Sequence, residues 1–495
     1  MTDFSVPQRM SIGAFFIYFL KYMRNFLDIL VAGLVLVIIK TDGQFVEILQ
    51  RIAITIAVFI GASLVLAFLS FIQIKFHVED GNIIYRHSLI TRATTTIPLN
   101  RIHTLRTRQG LFYRLFNLRG VLFDTLASRM EEIELILSES DWQSLINRIE
   151  QKEKPRPADP EAPPVYNPSQ TRLFSNRDLL ADALCQNHLR GMLMLAGFAI
   201  IIFDNLYDLP DHILDRITGY LESQLDHFGV SVASIALVMA CTYLVSLVLW
   251  LGKVVFRYYD LSLTYDSKML TFSHGLFSRM TSRFARDKIC TLRVKRNVFE
   301  KRFGLCTLAM MQALNSSARK AEDNLRIYGR ECADFFLGWW LGEEYASETD
   351  TAIARSGTGV MMLSLFTDLV ISSVAAAVLW YNGLYWWILI PAIYLLTGIP
   401  KGIMKMRHSH IALRQSYLIV GTGNFAETTN YLKYGNVEVL RLTRTPITRF
   451  TGRVSLTLST TGSTFVVRSL REEQAMQIYE QILAKSDTHK SRAKH

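Results

Sequence analysis

The chain has 495 residues, 50% of them hydrophobic and only 20% charged, with a mean hydropathy of +0.20 and a formal net charge of +11. Length suggests about three domains at roughly 150 residues each, and an apolar yet basic chain points to a membrane protein whose polar parts lie beside anionic lipid or nucleic acid. Disorder, collagen and a small disulfide scaffold are excluded, and so is an ordinary cytosolic enzyme, because the apolar residues come in runs.

The first ten residues are polar, with one Arg and no small-residue cleavage site, unlike a removable signal peptide. Ile12–Arg24 is apolar except for Lys21 and Arg24, and Phe26–Ile39 is a short apolar run with Asp28 near its start. Ile52–Ile74 carries no charge over 23 residues, enough to span a bilayer. In the polar segment that follows, Asn82–His87, Thr94–Pro98 and Arg101–Arg108 alternate as strands do, and Ser140–Glu150 is a predicted helix. Lys152–Gln170 holds six of the twelve prolines and is expected to be an extended linker. An amphipathic stretch (Leu179–Arg190), a short apolar run (Met192–Phe203) and an uncharged run (Val230–Leu251) come next. The second polar segment has a β-prone run at Met269–His274 and a predicted helix at Glu331–Leu341. Val360–Tyr381 and Leu384–Gly398 meet at Asn382-Gly383-Leu384, so they form an antiparallel hairpin, with Trp380, Tyr381, Tyr385, Trp386 and Trp387 as an interfacial belt. The last polar segment has a strand at Ser416–Val420, a turn at Gly421-Thr422-Gly423-Asn424, a β-hairpin at Val454–Leu458 and Thr464–Arg468, and a helix at Arg471–Ala484.

Six spans in three pairs are expected, in 1–75, 177–256 and 346–404, with polar modules at 76–150, 257–345 and 405–485, a linker at 151–176 and a basic tail at 486–495. Lys21, Arg24, Lys75, Lys253, Arg257, Lys401, Lys405 and Arg407 flank one side of the spans, whereas Asp204–Gly229 has six acids against Arg216. The positive-inside rule then places both termini and all three modules in the cytoplasm.

The polar segments repeat one another. Ile102-His103-Thr104-Leu105-Arg106 precedes Phe116 by the same spacing with which Ile289-Cys290-Thr291-Leu292-Arg293 precedes Phe303, while Val437-Glu438-Val439-Leu440-Arg441 leads to Phe450 one residue sooner. A pattern I/V-x-x-L-R followed by F, three times, indicates duplication. Each copy consists of several strands closed by one amphipathic helix.

Pro98–Arg106, and Lys288–Arg293 with Glu300-Lys301-Arg302-Phe303-Gly304-Leu305, resemble the bacterial pleckstrin-homology-like membrane proteins, and three copies in one chain are similar to their YdbT type. The resemblance covers all but the proline linker and the tail. It implies a protein of the bacterial plasma (inner) membrane with α-helical spans plus β-rich domains: three repeats of a two-helix pair followed by a seven-stranded, pleckstrin-like bent barrel with a C-terminal helix. It also implies no catalytic residues, and a smaller single-module partner of the YdbS kind. Some such proteins are linked to resistance against antimicrobial compounds from competing bacteria.

No phosphate-binding loop, H-E-x-x-H, G-x-S-x-G or paired-Cys motif is present in the sequence. The five cysteines, at 185, 241, 290, 306 and 332, are scattered and fit a reducing compartment, and His408-Ser409-His410 has no third ligand beside it. No catalytic residue, cofactor or metal is therefore expected. The remaining candidates are basic residues for contact with an anionic lipid bilayer or a protein partner: Arg106, Arg108, Arg293, Lys295, Arg296, Arg441 and Arg444. Simple solvation of the modules is the alternative. Asp368, deep in an apolar run, is a candidate intramembrane polar site. Nucleic acid is disfavoured, because no stacking aromatics interleave with the charges. The reading is a non-enzymatic membrane scaffold; the alternative is a transport or efflux component whose six spans contribute a pathway, against which the spans are almost uniformly apolar.

Overall fold

The computed structural model describes the chain except for residues 1–3, 5, 41–44, 80–81, 88–92, 99–101, 126–132, 154–169, most of 187–231, 313–325, 331, 445–450, 462 and 493–495. Most of the proline linker, the run Met192–Phe203, the acidic loop 204–229 and Phe450 thus lie outside the described residues.

The first module comprises β1 (Gln8–Arg9), α1 (Gly13–Asn25), α2 (Leu27–Lys40), α3 (Phe45–Gln73), β2 (Lys75–Glu79), β3 (Asn82–His87), β4 (Ala93–Pro98), β5 (Ile102–Gln109), α4 (Leu111–Leu115), β6 (Leu118–Thr125), β7 (Ile133–Ser138) and α5 (Glu139–Glu153). The second has β8 (Gln170–Leu173), α6 (Asn176–Cys185), α7 (Val232–Tyr258), β9 (Ser262–Tyr265), β10 (Met269–His274), β11 (Arg279–Ala285), β12 (Ile289–Arg296), α8 (Val298–Phe303), β13 (Leu305–Gln312), β14 (Arg326–Arg330) and α9 (Cys332–Leu341). The third has β15 (Ala352–Arg355), α10 (Thr358–Tyr381), α11 (Leu389–His408), β16 (His410–Leu413), β17 (Tyr417–Thr422), β18 (Glu427–Lys433), β19 (Val439–Thr443), β20 (Arg453–Ser459), β21 (Thr464–Arg471) and α12 (Glu472–Arg492).

Each module has four antiparallel strands, then three, then a helix. Period-2 burial in β10 and β20 gives each sheet one apolar face. The closing helices bury Trp142, Leu145 and Ile146, then Phe336, Leu337 and Trp340, then Ala475, Ile478 and Ile482, the one-sided stripe of an amphipathic helix on a core. Asn117, Gly304 and Gly452, just before β6, β13 and β20, all have positive φ, at 50°, 67° and 60°. Gly adopts this conformation freely and Asn tolerates it, so one backbone reversal survives in all three copies.

The first strand of each four-stranded sheet comes before the apolar helices, not after them. Gln8 pairs with Phe76, Leu173 with Ser262 and Arg355 with His410. The expected ranges 76–150, 257–345 and 405–485 start after the spans, whereas each sheet also includes this earlier strand. The apolar helices are therefore an insertion between the first and second strands of a module.

Among the described residues, four helices are long and apolar enough to cross a membrane: Val46–Gln73, Leu237–Tyr258, Thr358–Tyr381 and Tyr385–His408. Only 11–17% of their apolar windows is buried, so nearly all of that surface faces outward. Of the other two expected spans, one lies outside the described residues. The other, α2, has 14 residues, about 21 Å of helix at 1.5 Å per residue, less than a hydrocarbon core of roughly 30 Å.

One expected turn is shorter than its composition suggested. Gly421 and Thr422 continue β17, and the reversal begins at Gly423, φ 120°. Gly421 lies opposite His410, and a Cβ there would come within 2.2 Å of the imidazole. The glycine serves close ring packing inside a strand.

Candidate functional site

The modules are joined edge to edge. β5 of the first pairs with β11 of the second, and β12 of the second with β18 of the third, giving two seven-stranded sheets in the orders β7-β6-β5-β11-β10-β9-β8 and β14-β13-β12-β18-β17-β16-β15. The shared I-x-x-L-R motif is the strand at each seam. Arg106 stands opposite Ser282, and Arg293 opposite Asn430, so the two seams have one register. In both motif strands the pairing with the next strand shifts by one residue, at Ile102/Thr104 and at Ile289/Thr291, as a β-bulge does.

In the second seam the motif arginine has a specific partner. Its Nε donates to Asn430 Oδ1 at 2.9 Å, and Asn430 Nδ2 donates to the Val420 carbonyl at 3.0 Å. Asn430 is 1% exposed, so it would be costly to bury without these bonds. Asn436 Nδ2 adds bonds to the carbonyls of Ile289 and Cys290, and Lys301 pairs with Glu427. Lys433 lies 4.8 Å over the Trp340 ring, and burial lowers its pKa to about 8.

The seven basic candidates therefore separate. Arg293 is half-buried and bonded within the fold, in a seam between modules. Arg106 occupies the matching strand position in the first seam. Arg108, Lys295, Arg296 and Arg441 are exposed, and Arg444 is exposed but paired with Glu472.

An apolar surface missed by charge counting lies on the short helices. α4 exposes Leu111, Phe112, Leu115 and its following residue Phe116; α8 exposes Val298, Phe299 and Phe303. The motif phenylalanines Phe116 and Phe303 are thus outside the core, at 42% and 57% exposure. Both helices are tied to the helix that precedes a membrane segment. Phe16 of α1 packs edge-on against Phe112 and at a tilt against Phe116, with centroids 6.1 and 5.1 Å apart. Asn297, the N-cap of α8, donates from Nδ2 to the Cys185 carbonyl at the end of α6 at 2.8 Å. Arg114, Lys301 and Arg302 add positive charge to these helices. Spacing located the phenylalanines; nothing local to them indicated exposure.

Asp368 is 2% exposed and lies where α10 faces α11. Lys401 Nζ reaches its two oxygens at 2.8 and 3.1 Å, and Tyr394 OH donates to Oδ1 at 3.0 Å. Ser364 and Ser372 are buried along the same stripe, and Gly398 and Gly402 oppose it. Small residues let the helices approach, and the ion pair fastens them.

A second buried acid sits under the second module. Asp182 of α6 is fully buried, accepts from Gln186 Nε2 at 2.9 Å, and has its pKa raised to about 8 by burial and then by Glu300. Glu300 closes a capping box with Asn297 and accepts from Thr307 Oγ1. This pair fastens α6 to α8. None of the five cysteines is in a disulfide. The His408 and His410 Nδ1 atoms lie 2.9 and 3.1 Å from the Asn424 and His408 carbonyls.

The family model described as bacterial PH domain matches the chain three times, over residues 26–153, 213–343 and 361–486. The transmembrane protein YdbT of Bacillus subtilis (strain 168) is 21% identical over 269 residues, which are 52% of this chain and 52% of that protein. The chain thus spans about half the length of the curated relative it matches.

Proposed function

The chain belongs to the bacterial PH domain family, as a three-module membrane protein of the YdbT type, and on that footing we propose that it is a non-enzymatic scaffold of the bacterial plasma membrane. Its three modules form a fixed row along the cytoplasmic leaflet, with both termini inside. One observation carries the reading: in two modules a short helix with exposed Phe and Leu or Val is fastened to a helix that lies before the long apolar helix in the chain. Such an apolar rim with flanking Arg and Lys suits the boundary of an anionic leaflet. Lys21 and Arg24, Lys253 and Arg257, and Lys405 and Arg407 support the cytoplasmic placement. The single-module homologue expected from the resemblance is, in this reading, held by the modules and not by the spans. The transport reading gains no support from Asp368, which Lys401 and Tyr394 already engage.

The test is a fluorophore on Phe303→Cys, in a Cys241→Ser background, with the full chain in nanodiscs containing anionic lipid. Brominated acyl chains are expected to quench it, as they quench a label on Phe256→Cys at the end of α7. A label at 303 that keeps its full emission would remove the leaflet contact from the reading.

A further inference from the structure

Two seams of identical register define a docking rule, and the row leaves one edge of each kind uncovered. Among the described residues, nothing pairs with the outer edge of β4 or of β19. β19 carries the third copy of the motif, so Arg441 is the counterpart of Arg293, and Val439 that of Thr291. Thr291 is fully buried within its seam, whereas Val439 is 54% exposed; Arg293 is half-buried and bonded, whereas Arg441 is exposed. On the other side, β4 holds the position of β11 and β18, with Thr95 matching Ser282 and Asn430. Ser282 is buried in its seam, while its match Thr95 is half-buried and its neighbours Thr94 and Thr96 are exposed.

We propose that the chain assembles head to tail with a second copy of itself, β19 of one copy pairing antiparallel with β4 of the next. The register follows from the existing seams: Arg441 opposite Thr95, Val439 opposite Ile97, Thr443 opposite Ala93. Both edges belong to this chain, and their side chains match. Thr95 offers a hydroxyl, as Ser282 does opposite Arg106, and Pro98, which lacks an amide proton, falls just beyond the paired stretch. An exposed edge recruits a further strand through its unpaired backbone groups. The same step that relates one module to the next within the chain then relates one chain to the next. It keeps the inserted helices in the same relation to the sheet, and so in the same bilayer. A contact of this kind joins two different surfaces, so repetition gives a ring or an open row, not a two-fold dimer. The proposal is independent of any leaflet contact by α4 and α8.

The test mixes two differently tagged full-length chains in nanodiscs or mild detergent, both in a Cys241→Ser background, one with Thr95→Cys and one with Arg441→Cys. Facing residues of paired strands lie about 4.5–5.5 Å apart, within disulfide reach. Mild oxidation is expected to give a dimer carrying both tags, with neither chain dimerising alone. In the chain without these cysteines, Thr95→Arg should dissolve oligomers seen by native mass spectrometry, because it opposes Arg441 with like charge, and adding Arg441→Glu should restore them. Rescue separates loss of contact from loss of fold. Monomers at every concentration would overturn the proposal, as would a mixed dimer that forms equally well with Thr95→Arg in place. So would a single-module homologue seated on Val439–Thr443 where a second copy should be.

Discussion

Asn430→Ala probes the seam directly. The substitution removes the acceptor of a charged donor, Arg293 Nε at 2.9 Å, and the Nδ2 bond to the Val420 carbonyl at 3.0 Å, at a residue 1% exposed. A hydrogen bond to a charged group is worth about 1.5–3 kcal/mol. Taking about 2 kcal/mol as the loss, the opening equilibrium of the seam rises about thirtyfold. Amide hydrogen exchange on the full chain reads this locally. The amides of β12 and β18 should exchange about thirtyfold faster, while those of β20 and β21, in the separate three-stranded sheet, should keep their rates. Asn430→Asp keeps the acceptor and loses the Nδ2 bonds to the Val420 carbonyl and Thr422 Oγ1, so it should fall between. Arg293→Met should match Asn430→Ala, and the double variant should be little worse than either single one. Wild-type exchange in both single variants, or acceleration spread equally over β20 and β21, would refute the claim that this bond holds the second and third modules together.

Three further outcomes are expected. Asp368→Asn should lower the thermal stability of the detergent-solubilised chain, since removing one partner of a buried ion pair costs about 3–5 kcal/mol; the pair Asp368→Leu with Lys401→Leu should recover much of the loss. Asp182 holds its proton in the folded chain up to about pH 8, whereas an unfolded carboxyl releases it near pH 4. Its stability contribution is therefore complete below pH 4 and is lost as pH rises to about 8, at up to roughly 1.4 kcal/mol per pH unit. Asp182→Asn should remove that dependence, so a stability difference from wild type that is equal at pH 5 and pH 8, by exchange in the second module, would contradict it. Gly304→Ala should cost about 1 kcal/mol, because φ 67° is strained for a residue with a Cβ, while Asn117→Gly should be neutral or mildly favourable; denaturant midpoints check both.

The features legible in the sequence are the local ones. Helices and strands follow period and composition, so α1, α5, α9 and the β20–β21 hairpin fall near their expected positions. The repeat was legible because Ile102 to Phe116 and Ile289 to Phe303 share one spacing. The seams were not, because strand pairing between modules leaves no local signature: Arg293 and Asn430 are 137 residues apart. For the same reason nothing beside Arg293 in the sequence announces its bond to Asn430. The strands before the spans have two to four residues, too few for a period to register. Composition alone cannot distinguish a glycine that bends the chain from one that, like Gly421, admits a ring.

The inserted helices impose an order on synthesis. β1 must wait for Phe76, β8 for Ser262 and β15 for His410, so no four-stranded sheet can close until the apolar residues between its first two strands have been made. The outer edge of β5 then waits for β11, and that of β12 for β18. Each module is thus a latch that sets only after its own apolar helices have been made, and the finished row records that every segment upstream of it has found its place.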